Sequence, residues 1–285
     1  MRTRRPLLYR GFTLVEMVVV IVLTSIIASA VAMFIRLPVQ GYVDTARRAE
    51  MTDIADTALR RMGRDLHLAL PNSVRVTDGG ATIEILLTKT GGRYRVADDG
   101  AGSGDLLDFT VNDTSFDQLG LFATGTGQAI VAGDRLVVYN LNIPGADAYA
   151  GDNTATISSP PTGAGALANE NKINFAAKKF PFESPGNRFQ VIEGPISYVC
   201  DTTTGRLTRY SGYGYFGTQR TAVQLAGLVP SPSLLATNVA SCVFGYIPGI
   251  TARSGLVALT LVITEAGEVN ESVRLYHEVH VTNVP

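Results

Sequence analysis

The rhythm of apolar and polar positions changes twice along the chain. Residues 12–35 are apolar almost without interruption, FTLVEMVVVIVLTSIIASAVAMFI, and Glu16 is their one charge. At about 1.5 Å per residue, such a helix would run roughly 36 Å, enough to cross a hydrocarbon core of about 30 Å. Beyond Pro38 the apolar residues narrow to one face. Met51, Ala55, Ala58, Met62, Leu66 and Ala69 follow one another at intervals of three or four, flanked by Ile54 and Leu59. Arg47, Arg48, Arg60, Arg61 and Arg64, interleaved with Asp53, Asp56 and Asp65, occupy the opposite side. That spacing predicts an amphipathic helix whose stripe packs on the protein's own sheet. Pro38 predicts a kink or a local break. Pro71 predicts the end, because it pushes Leu70 out of α geometry. The long helix is therefore expected over residues 12–70, with a joint at Pro38. Gly63 lies within the stripe at a cost of about 1 kcal/mol relative to alanine, which close approach of a strand would explain.

After Pro71 the period falls to two. Runs rich in Val, Ile, Leu, Thr or Tyr predict strands at 73–77, 82–88, 106–111, 135–141, 188–192, 196–200, 206–211, 239–247, 256–264 and 269–281. The segments from Asp201 to Gly205 and from Glu265 to Glu268 read as hairpin turns. Residues 142–172 contain Pro, Gly, Ala, Ser and Asn with hardly an aliphatic run, and predict a loop of about thirty residues. The expected fold is α+β, a long N-terminal helix followed by a β-rich head.

Composition narrows the function. The chain has 285 residues, 46% of them apolar and 17% charged. That is too apolar and too weakly charged for a disordered chain. The net charge of −1 argues against nucleic acid as a partner, since such binding rests on a basic surface. The balance is uneven along the chain, because Arg2, Arg4, Arg5 and Arg10 all precede the first acidic residue, Glu16. By the positive-inside rule this leader stays in the cytoplasm and everything after residue 36 lies outside.

Three readings of this export segment compete. A plain signal anchor explains the charge bias but not a carboxylate near the start of the apolar run. A secretory signal peptide would use residues 17–27 as its apolar core and Ala28-Ser29-Ala30 as its cleavage site, releasing a soluble periplasmic enzyme or glycan-binding protein. A discarded signal would need no amphipathic continuation. The third reading uses every feature: a short basic leader, Gly11, Phe12, Glu16 four residues beyond, then an apolar helix. This pattern resembles the processing site of type IV prepilins and of type II secretion pseudopilins.

The resemblance implies specific chemistry. A membrane prepilin peptidase would cut after Gly11 and methylate the new amine of Phe12, so the chain is a substrate there and not the enzyme. Gly11 has no side chain to crowd a narrow site. An ionised glutamate in lipid costs roughly 2.5–3.5 kcal/mol on insertion scales, so Glu16 needs a partner. The resemblance supplies one in the Phe12 amine of a neighbouring subunit; the plain alternative is a carboxylate snorkelling to the interface. The implied organisation is a leader at 1–11, a transmembrane and assembly helix at 12–37, an amphipathic stalk at 38–70 and a periplasmic or extracellular head at 71–285. Implied partners are major and minor pilin subunits, the prepilin peptidase, an inner-membrane assembly platform and the lipid bilayer. The chain would sit in the inner membrane by one span before assembly and at a pilus tip afterwards.

Cys200 and Cys242 lie in predicted strands and can pair in an oxidising periplasm, closing a loop worth on the order of 4 kcal/mol by the chain-entropy argument. Two buried thiols are the alternative. Neither cysteine has a CxxC partner or a neighbouring His, so no metal site is indicated.

Several motifs do not carry chemistry. Residues 212–217, GYGYFG, match G-x-G-x-x-G but sit among predicted strands without a βαβ unit, and read as a mobile aromatic turn. Asp98, Asp99, Asp105 and Asp108 offer hard oxygen ligands of the kind calcium takes, yet match no EF-hand spacing and read as a solvated turn. His277 and His280, three apart on a predicted strand, fall on opposite faces. No HExxH, GxSxG or Walker lysine is present, and an enzyme is not expected. No cofactor is implied.

Two further stretches narrow the resemblance. Residues 60–71, RRMGRDLHLALP, are similar to the stalk end of J-type pseudopilins and of O-type minor prepilins of the mannose-sensitive haemagglutinin (MSHA) pilus. The tail, from Gly255 to Thr260 and from His277 to Pro285, is more similar to the MSHA group. Such subunits help to start or cap a filament.

Overall fold

The computed structural model describes residues 11–98, 100, 102–122, 125, 127–163, 165–249, 254–265 and 271–284, with the side chain of Leu37 excepted. The basic leader and most of the expected turn after Glu265 therefore lie outside the described residues. The chain divides into two compact units, Met1–Glu50 and Met51–Pro285.

Helix α1 spans Leu14–His67, and its helical assignment continues through Pro38 without a break. The proline lacks an N–H, so one helical bond is missing there, but the turns on either side keep the helix going. It ends three residues earlier than expected. The N–H groups of Leu68 and Ala69 bond the carbonyls of Asp65 and Leu66, tightening the last turn. The chain then leaves as an extended segment, with Leu70 N–H donating to Leu86 O at 2.8 Å and Thr88 N–H to Leu68 O at 2.8 Å.

The second unit holds two sheets. The larger contains β1 (Arg75–Thr77), β2 (Thr82–Arg93), β3 (Asp113–Leu119), β4 (Arg135–Val138), β5 (Thr154–Thr162), β6 (Glu170–Lys178), β7 (Arg188–Asp201), β8 (Arg206–Ser211) and β9 (Ser233–Ala236), in the order β1-β2-β7-β4-β5-β6-β3, with β8 and β9 branching from β7. The smaller is the antiparallel meander β10 (Val239–Ile247), β11 (Gly255–Thr264) and β12 (Ser272–Val281). A short helix α2 (Ala222–Leu228) opens with a capping box in which Thr221 and Gln224 satisfy each other's backbone N–H.

Strand β7 organises the large sheet. One edge pairs with β2, while the other pairs with β4 through residues 189–192 and with β8 through residues 196–201. The change of partner falls at Gly194, whose φ of +151° favours glycine. The two strands expected at 188–192 and 196–200 are thus one strand, since a glycine and a proline interrupt the sequence pattern without ending the β2 ladder.

Two other expectations are corrected. Residues 106–111 are not a strand, and their turn instead wraps the Asp108 carboxylate, which accepts from the Thr110 N–H and hydroxyl at 2.6 Å each. The strand lies just beyond, at β3, where DTSFDQL shows little apolar alternation because Asp117 and Gln118 are themselves buried. The expected loop over 142–172 contains β5 and the start of β6. β5 includes Pro160 and Pro161 and pairs with β6 irregularly, with register shifts on both sides of Ser159, so its prolines need not donate to a regular ladder.

The main core of the second unit is built on the predicted helical stripe. Met51, Ala55, Ala58, Met62, Leu66 and Ala69 are all buried, together with Ile83, Ile85, Ile196 and Tyr198 of the large sheet and Val257, Leu259, Leu261 and Ile263 of the small one. At Gly63 β12 approaches closely: a Cβ there would stand 3.3 Å from His277 Nε2, the far end of an exposed side chain, and 3.7 Å from Val279 Cγ2. A second, aromatic core gathers Tyr94, Phe116, Phe175, Phe180 and Phe189 between β3, β5, β6 and β7. Within it Phe116 and Phe189 meet edge-on at 5.1 Å between centroids.

Candidate assembly segment and its supports

In the first unit, Thr13 opens α1. Its Oγ1 accepts the Glu16 N–H at 3.3 Å and its carbonyl accepts the Met17 N–H at 3.2 Å. The pattern T-x-x-E is a capping signature, readable in the sequence. Glu16 thus stands in the first turn, where the helix dipole favours a carboxylate. Among the described residues, its side-chain oxygens form no hydrogen bond or ion pair.

The apolar run is exposed on every side. Phe12 is 78% exposed, Phe34 80%, and Val18 to Leu23 about half. The few polar side chains within it spend their hydroxyls on their own helix: Thr24 donates to Val20 O at 2.8 Å, Ser25 to Ile21 O at 2.7 Å and Ser29 to Ser25 O at 2.8 Å. Such back-bonding leaves no donor that would have to be dissolved in lipid. By length and composition this helix could cross a membrane. Gly11 and Phe12 precede it in exposed chain, and among the described residues nothing lies within 4 Å of the position a Gly11 side chain would take.

The second unit contains the other residues singled out by sequence. Cys200 of β7 and Cys242 of β10 form a disulfide with Cα atoms 6.2 Å apart, joining the two sheets. The turn after Cys200 is a hairpin turn as expected. The Asp201 carboxylate accepts from the N–H groups of Thr203 and Thr204 and from the Thr204 hydroxyl, and Gly205 takes a φ of +64°. Those bonds, the Thr204 hydroxyl first, hold the Asp201 carboxyl below its ordinary range.

Near the end of α1, the buried Asp65 carboxylate accepts from the Tyr198 hydroxyl at 2.6 Å and Arg209 Nε at 2.8 Å, with Arg61 Nε at 3.5 Å. Burial, reinforced by the bond to Asp65, pushes the Tyr198 hydroxyl well above its ordinary pKa. Sequence reasoning placed Asp65 on the solvated face. Its buried partners come from β7 and β8, far away in the chain, and no local signal names them.

The GYGYFG segment is anchored, not mobile. Tyr213 donates to Glu84 Oε1 at 2.7 Å and shares a 2.7 Å hydrogen bond with Ser197 Oγ. Arg75 holds the turn through bonds to the carbonyls of Phe216 and Gly217 at 2.8 Å each and pairs with Glu84 at 2.6 Å. In the acidic segment, Asp105 pairs with Lys172 at 2.8 Å, and Asp98 accepts the Gly100 N–H. Among the described residues, no cluster of His, Cys, Asp or Glu has the arrangement of a metal site. His277 and His280 do lie on opposite faces of β12, opposite Leu259 and Leu256 respectively.

Residues 8–32 match the family model described as the prokaryotic N-terminal methylation motif. No curated protein and no solved structure matches the chain. The motif stands at the start of a long apolar helix that is followed by a β-rich head of two sheets, an α+β arrangement of the type IV pilin-like kind.

Proposed function

We propose that this type IV prepilin-like chain is a minor pilin, an assembly subunit that helps to initiate or cap an MSHA-type pilus. The observation that carries the reading is the methylation motif at the head of a helix exposed on all sides. A prepilin peptidase cuts after Gly11 and methylates Phe12. The apolar helix holds the chain in the inner membrane and then packs against other pilin helices in the filament. Glu16, whose carboxylate lacks a partner among the described residues, pairs with the Phe12 amine of a neighbour and sets axial register. Pro38 gives the helix a point of bending, and the disulfide between Cys200 and Cys242 steadies the head outside the cell. A head of this size and irregularity favours a position at or near the tip. The proposed activity is assembly, not catalysis.

A mass spectrum of the mature N-terminus of the membrane-associated protein tests this. N-methylated Phe12 is the expected result. A start at Val31 would indicate release by a signal peptidase and remove the pilin reading. Cross-linking that found the protein evenly along shafts, at the stoichiometry of the major subunit, would remove the tip role.

The stalk end, residues 60–71, also favours a second reading, a J-like pseudopilin of a type II secretion system. Deletion separates the two: loss of surface pili supports the first, loss of exoprotein secretion the second.

A further inference from the structure

The anchored aromatic turn forms one wall of a cleft of about 330 Å³, at the lower end of the range typical of small-molecule sites. Its floor is the face of β4, β5 and β6 that presents Arg135, Thr154, Thr156 and Lys178, and Tyr149 and Tyr215 contribute to its walls. The Arg135 Cζ stands over the Tyr215 ring, 3.8 Å from its centroid. Among the described residues it makes no ion pair or hydrogen bond, so its planar fork of donors is unspent. Lys178 uses one donor on Gly151 O at 3.0 Å and keeps two.

No acidic residue lines the cleft among the described residues. The carboxylates of the neighbouring turn are committed elsewhere: Asp147 accepts the Tyr149 N–H at 2.8 Å and Asp152 the Gly145 N–H at 2.9 Å. Asp134, next to Arg135 in sequence, is paired with Lys89 at 2.8 Å. Burial pushes the Tyr215 hydroxyl up to about 12, the Arg135 charge pulls it down, and Asp134 and, more weakly, Glu193 add to the rise at range. That hydroxyl stays a donor at neutral pH. Tyr215 itself is fixed, because Arg75, Glu84 and Ser197 hold the turn around it.

We propose that this cleft binds an acidic sugar ring, with Arg135 and Lys178 taking its carboxylate and Thr154, Thr156 and Tyr215 its hydroxyls. Two cations in a cleft that no described carboxylate lines favour an anion. The three hydroxyl side chains, with no Val, Leu, Ile, Met or Phe among the described lining residues, suit a polyhydroxylated ring better than an apolar acid. The inference concerns the head alone and does not depend on the pilin reading.

Calorimetric titration of the full-length protein in detergent, with glucuronate, glucose and inorganic phosphate in parallel, is the test. Glucuronate is expected to bind saturably and about tenfold more tightly than either comparison ligand, the size of one charge-assisted hydrogen bond. Arg135→Gln and Lys178→Gln should each weaken it by about the same factor while leaving the melting temperature unchanged. Lys178→Gln serves if loss of the Arg135–Tyr215 stack disturbs folding. Glucuronate binding no tighter than phosphate or glucose, absent altogether, or unmoved by Lys178→Gln overturns the proposal.

Discussion

The two halves of α1 obey the same backbone rules and differ in where their apolar atoms go. From Phe12 to Ile35 the helix is apolar all round, and its large side chains are exposed. From Met51 onward only one stripe is apolar, and every member of it is buried in the core of its own unit. A helix uniformly apolar and uniformly exposed has its solvent elsewhere, in lipid or among other helices. A striped helix needs only a sheet of its own chain. Period separates the two: unbroken hydrophobicity points outward to partners, and three-four spacing points inward to the core.

Substitutions of one kind in both halves should break this comparison most sharply. Met62→Asp places a carboxylate where no side-chain atom meets water, and the cooperative thermal transition of the head should disappear. Val22→Asp should leave that transition in place in detergent and weaken membrane insertion by roughly 2.5–3.5 kcal/mol, read by fractionation. Reducing or replacing the Cys200–Cys242 pair should lower head stability by about 4 kcal/mol in denaturant titrations. Asp65→Ala, which leaves the Tyr198 hydroxyl and the Arg209 guanidinium without their acceptor, should cost roughly 3 kcal/mol in the same assay.

Alkaline pH gives a smaller effect with a defined sign. Burial raises the hydroxyls of Tyr149, Tyr198, Tyr213 and Tyr215 above their ordinary 10.0. Folded protein therefore keeps protons that the unfolded chain releases. The stability from these groups is complete below pH 10 and falls as pH rises through 10 toward 12, by about 1 kcal/mol per tyrosine near pH 11. Absorbance of tyrosinate should show these four still protonated at pH 11 until the head unfolds. The smallest change is Gly63→Ala. Its helix-propensity gain of up to about 1 kcal/mol is offset only by a nudge to the end of the exposed His277 ring, so melting should rise slightly.

What could be read in advance follows from the same physics. The stripe and the meander β10–β12 were legible because each shows its period within a few residues, and the disulfide because the sequence offers only two cysteines to pair. β3 and β5 were not, since Asp117 and Gln118 sit buried where alternation predicts apolar residues, and Pro160 and Pro161 sit in a strand whose pairing is irregular. Gly11, Phe12 and Glu16 stand out in the sequence because the motif is local and chemical. The partners of Asp65 and the cleft did not, because their groups converge from β4, β5, β6, β7, β8 and the turn at 212–217.

The bond between Cys200 and Cys242 has a mechanical consequence. It staples the strand that organises the large sheet to the first strand of the meander, and the chain between them, β8, α2 and β9, forms a covalently closed loop that is itself paired into the large sheet through β8. Tension that tried to part the two sheets would load a covalent bond rather than a seam of side chains.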